Sequence, residues 1–109
     1  KNYQTAAESF AAIPDSSGYF SQAQYFLGHS YIQNSQYDKA ISAFQNVIKQ
    51  NDPKYIRQAK WHLILAQVGG NRPKTDYENL LNEMLENPNH IYFEKAGYLE
   101  KMLKSMKKN

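Results

Sequence analysis

The chain has 109 residues, a formal net charge of +3 and no cysteine, which excludes disulfides, thiolate metal sites and a cysteine nucleophile. With 41% hydrophobic and 14% aromatic residues it carries enough apolar side chain to bury a core, so extended disorder is excluded as well. No apolar run approaches the roughly 20 residues that cross a bilayer.

In chain order, residues 2–13 predict a first helix with Tyr3, Ala6, Phe10 and Ile13 along one side, broken by Pro14-Asp15-Ser16-Ser17-Gly18. A second helix is expected over 19–33 and ends at Asn34-Ser35-Gln36. The third, over 37–50, places Ala40, Ile41, Phe44, Val47 and Ile48 at steps of three and four, which is one face of a helix. Asn51-Asp52-Pro53 closes it, and Asp52 before Pro53 reads as an N-cap with proline at the first position of a fourth helix over 54–68. After Gly69-Gly70-Asn71-Arg72-Pro73, Thr75 and Glu78 have capping-box spacing and open a fifth helix over 75–87, with Tyr77, Leu80, Leu81, Met84 and Leu85 on one face. Asn87-Pro88-Asn89 leads to a sixth helix over 90–106. No segment reads as a strand, so the expected fold is all-α with about six helices.

The helices repeat. Tyr3, Ala6, Phe10 and Ile13 have the spacing YxxAxxxFxxI, and Tyr37, Ala40, Phe44 and Val47 give YxxAxxxFxxV 34 residues later. Ala23, Tyr25 and Leu27 correspond to Ala59, Trp61 and Leu63 at a displacement of 36, with an echo at Ala96 and Tyr98 a further 37 on. The unit is a pair of different helices, A then B, and a fixed period of this size marks a helical array.

Residues 23–53, "AQYFLGHSYIQNSQYDKAISAFQNVIKQNDP", resemble a tetratricopeptide repeat, with Leu27, Gly28 and Tyr31 on helix A, Tyr37, Ala40 and Phe44 on helix B, and Pro53 at the end. The resemblance implies a right-handed α-α superhelix of antiparallel helix hairpins spanning 1–109 as a single domain. In that frame 1–13 is the second helix of a truncated repeat, 19–50 the best-matching repeat, 54–87 a divergent repeat and 90–106 a capping helix. The divergent copy has Ile64, Gln67 and Tyr77 where the better copy has Gly28, Tyr31 and Ala40. Gly28 is expected to pack closely on Ala40: glycine costs about 1 kcal/mol against alanine inside a helix, and burying one large apolar neighbour returns about 1.5–3 kcal/mol.

No catalytic constellation emerges, and the chain reads as non-enzymatic. There is no HExxH, GxSxG or EF-hand loop. His29, His62 and His90 lie in three separate segments with no local metal-ligand spacing, so no metal or other cofactor is implied. "GGNRPKT" lacks the phosphate-loop spacing and reads as a turn between helices. Glu83 with Glu86, and Glu94 with Glu100, read as solvated polar faces.

The resemblance implies instead a concave face lined by the A helices. It assigns Gln22, Tyr25, His29, Ile32 and Gln33 to the first of these helices and Gln58, Trp61, Leu65 and Val68 to the second, as candidate peptide-binding residues. Tyrosine and tryptophan suit such a face because they bury large area at little conformational cost. The Lys and Asn of family members that clamp a C-terminal carboxylate are replaced here by Tyr25, His29, Trp61 and Leu65.

The expected function is therefore a protein-protein interaction or scaffold module that takes a protein or peptide segment, with no small-molecule substrate. Lys101, Lys104, Lys107 and Lys108 fall near the C-terminus, and without them the charge balance becomes −1. That assigns the basicity to a tail, disfavours nucleic acid across the surface, and leaves anionic-partner binding through the tail as the rival function. The chain is expected to be a soluble domain of a larger protein, with no signal or membrane segment within it and a membrane reached only through segments outside it. An uncovered first helix would favour self-association.

Overall fold

The structure, a computed structural model, describes residues 8–107; the part of the expected 2–13 helix that holds Tyr3 and Ala6 lies outside the described residues. Every regular element among the described residues is helical. The fold divides into two compact units, Lys1–Pro73 and Lys74–Asn109.

The first unit contains α1 (8–11), α2 (Phe20–Gln33), α3 (Tyr37–Gln50) and α4 (Ile56–Gly69). Helix α3 packs on both α2 and α4. It can do so because Ala40, Ile41, Ala43, Phe44 and Val47 spread its buried surface over more than one side. The direction is antiparallel to each neighbour. Asn46 Nδ2 donates to Gln24 Oε1 at 2.9 Å across α2 and α3, while the start of α3 meets the end of α4 where Arg72 pairs with Asp38 at 3.1 Å. Phe10 of α1 stacks on Phe26 at 5.9 Å and packs against the Leu27–Ala43 cluster.

Phe44, 0% exposed, locks α2 to α3. A methyl group built on Gly28 would lie 2.6–2.8 Å from three of its ring carbons, closer than atoms can approach, so the backbone of α2 rests directly on the ring. The close approach at Gly28 is thus made by Phe44, one turn along α3 from the expected Ala40. A second approach of this kind occurs at the other end of α3, where Tyr37 lies 2.6 Å from the Cβ position of Gly69 and 3.0 Å from that of Gly70.

Helices α2 and α4 end alike. Ser35 and Asn71 adopt left-handed torsions, φ 58 and 59. The following N–H groups reach back in the same way, Gln36 to Tyr31 O and Arg72 to Gln67 O, both at 2.8 Å. Ser35 N–H bonds Ile32 O at 2.9 Å and Asn71 N–H bonds Val68 O at 3.0 Å. These are two Schellman caps, which satisfy carbonyls the helix leaves open. Both helices have 14 residues, so the 36-residue displacement in the sequence corresponds to the same local backbone twice.

Helix α4 begins at Ile56, two residues later than expected. Asp52 does not cap it: its Oδ1 accepts the Lys54 N–H at 2.9 Å and its carbonyl accepts from Tyr55 and Ile56, giving Asp52-Pro53-Lys54 a turn of its own.

The second unit holds a 3₁₀ turn (Lys74–Asp76), α5 (Glu78–Leu85) and α6 (Phe93–Lys107). The 3₁₀ turn absorbs Thr75, so the expected capping box is not formed, and Tyr77 takes the N-cap position without a side-chain bond. Tyr77, Leu81, Met84, Tyr92, Ala96 and Leu99 are buried. Asn87 Oδ1 accepts from Asn89 N–H at 3.0 Å, and His90 Nδ1 accepts from Tyr92 N–H at 3.1 Å; these turns delay α6 to Phe93. Along α6, Tyr98, Met102 and Met106 remain exposed at 70%, 46% and 64%.

Candidate functional site

The ends of α2 and α4 are fixed by matching caps, and α3 sits against both, so residues of α2 and α4 meet over Phe44. Five rings gather there. His29 of α2 and His62 of α4 have centroids 4.3 Å apart, edge to face. Tyr25 lies 4.7 Å from His29 and 6.1 Å from His62. Tyr55, just before α4, lies 5.1 Å from Tyr25. Phe44 forms the floor, 5.4 Å from His29 and 5.8 Å from His62. Tilted and edge-to-face pairs at such distances contribute about 0.5–1.5 kcal/mol each beyond area burial.

Burial lowers the pKa of His29 from its ordinary 6.5, because desolvation penalises the imidazolium. His29 is therefore neutral at pH 7, with one ring nitrogen donating and the other accepting. Tyr25, His29, Tyr55 and His62 are all half-buried, leaving a surface with an aromatic body and polar tips.

The structure brings together Tyr25 and His29 from the expected strip, and places Ile32, Gln58, Leu65 and Val68 half-buried and Gln22 and Gln33 exposed. Trp61 is 7% exposed, and the ring of α4 that stands beside His29 of α2 is that of its neighbour His62. One residue turns a helix by about 100°, so Trp61 and His62 cannot share a face. His62 and Tyr55 are what the sequence reading missed; the signal was present, since Tyr55, Gln58, His62 and Leu65 also follow steps of three and four. Among the repeat-packing residues, Leu27, Gly28, Ala40 and Phe44 are buried while Tyr31 and Tyr37 are half-buried.

The units also redistribute the charge. In 74–109 six lysines face six acidic residues, so the C-terminal lysines are balanced within their own unit. The net +3 belongs to 1–73, where Lys1, Lys39, Lys49, Lys54, Arg57, Lys60 and Arg72 outnumber Glu8, Asp15, Asp38 and Asp52.

Among the described residues no three His, Cys, Asp or Glu side chains are grouped to hold a metal ion, and no helix is long and apolar enough to cross a membrane. Comparisons with family models, curated proteins and solved structures return no match.

Proposed function

We propose that the chain is a non-catalytic recognition module, a short tetratricopeptide-like array whose α2–α4 face receives a segment of another protein. The observation that carries this reading is the half-buried ring patch of Tyr25, His29, Tyr55 and His62, assembled from two helices that a third holds in place. The 36-residue displacement and the matched caps of α2 and α4 support the array, and with it a superhelical stacking of hairpins. Rigid aromatic groups with polar tips favour binding because few rotamers are frozen when a partner covers them.

The test is selection of binding peptides from a random library against the intact chain, followed by affinity measurements. Tyr25→Ala and Tyr55→Ala, verified as folded by circular dichroism, will abolish capture of the selected peptides. Truncation after Met102, which removes Lys104, Lys107 and Lys108, will leave capture intact. Retained capture by both folded tyrosine variants would sink the reading, and loss on truncation alone would transfer the function to the lysine-rich end.

A further inference from the structure

The two helices that carry His29 and His62 have no acidic side chain. Helix α2 has no charged residue, and the stretch 53–73 carries Lys54, Arg57, Lys60 and Arg72 with no carboxylate. The four cations are not equivalent. Arg72 is held by Asp38 at 3.1 Å, at the far end of α4, and Lys60 is half-buried. Lys54 and Arg57 are exposed. The ammonium of Lys54 stands over the ring of Tyr55, 5.7 Å from its centroid, and that ring is 5.1 Å from Tyr25. A positive charge therefore borders the patch.

The one carboxylate nearby in sequence is Asp52, whose Oδ1 is engaged by the Lys54 backbone N–H. Its geometry is dictated by the turn rather than by the Lys54 side chain. A partner approaching the patch thus meets the rings and, at one edge, the exposed Lys54 ammonium. Resting on the recognition face proposed above, we infer that the segment it receives is acidic, with a side-chain carboxylate meeting Lys54 and an apolar or aromatic residue covering Tyr25 and His29.

Complementary charge at the edge of an interface acts on encounter rate and partner choice, while the rings supply the desolvated area. Nucleic acid is disfavoured as the occupant. Strong phosphate-driven binding draws on about six to ten phosphate contacts, and one edge cation does not supply them.

The same library selection tests the inference. Peptides retained by the wild-type chain will be enriched in Asp and Glu over the starting pool, and their affinity will fall about threefold in Lys54→Glu. Lys54 is exposed, so the variant will keep its fold. A selected pool without acidic enrichment, yet lost in Tyr25→Ala and Tyr55→Ala, overturns the acid preference and leaves the recognition face standing. A pool indifferent to both tyrosine variants overturns the face and the inference together. Tighter binding of a single-stranded oligothymidylate than of any selected peptide, falling steeply with salt, overturns the inference in favour of nucleic acid.

Discussion

Gly28 and His29 are adjacent in sequence and opposite in role. Gly28 leaves room for Phe44, whose ring carbons lie 2.6–2.8 Å from where a methyl would stand, and Phe44 is fully buried and cannot swing away. Gly28→Ala gains helix propensity of about 1 kcal/mol but overpacks at a cost of about 1–3 kcal/mol; the second effect wins because the ring has nowhere to go. The variant will unfold at lower urea than wild type, and an unchanged or raised midpoint would refute the contact. At His29 the folded state favours the neutral ring, so its contribution to stability is full above pH 6.5 and is lost as pH falls below that value through the lowered pKa. Melting temperature will drop on acidification from pH 7.5 to 5.5 more in wild type than in His29→Gln; equal drops would remove His29 as the source.

Elements were legible in the sequence where packing and local chemistry agree. Helix α3 runs Tyr37–Gln50, as its spacing predicts. The starts of α4 and α5 were not legible, because Asp52 and Thr75 are spent on turns that precede the helices; cap residues favour turns and helix starts by the same hydrogen bonds. The ring patch between α2 and α4 was half legible. Steps of three and four pick out Gln58-Trp61-Leu65 as readily as Tyr55-Gln58-His62, and only the packing of α3 against α4 decides which row faces α2. Where α3 begins, Tyr37 lies 2.6 Å from the Cβ position of Gly69. Gly69→Ala will therefore be less favourable in the wild-type chain than in a Tyr37→Ala background, where the ring that must shift is gone. Equal changes in the two backgrounds, measured by urea denaturation, would show that Tyr37 is not the obstacle.

At the scale of the molecule the two units have unequal means of stability. The first is built on three helices of 14 residues. The second relies on α5, of 8 residues, and on α6, which leaves Tyr98, Met102 and Met106 exposed. Helices as short as α5 are marginal without tertiary support. Trp61, the sole tryptophan, lies in the first unit, so its emission follows that unit while far-UV circular dichroism follows both. On titration with urea, ellipticity will begin to fall before Trp61 emission shifts to the red. Coincident curves would mean that the units unfold as one.

The paired caps give the chain two spellings of one bend, Asn34-Ser35-Gln36 and Gly70-Asn71-Arg72. They are not interchangeable in both directions. Writing Gly-Asn-Arg into 34–36 introduces no side chain at the cap position, whereas writing Asn-Ser-Gln into 70–72 puts a Cβ 3.0 Å from that of Tyr37. The second bend is therefore the stricter of the two, free to exchange its letters only where Tyr37 gives way.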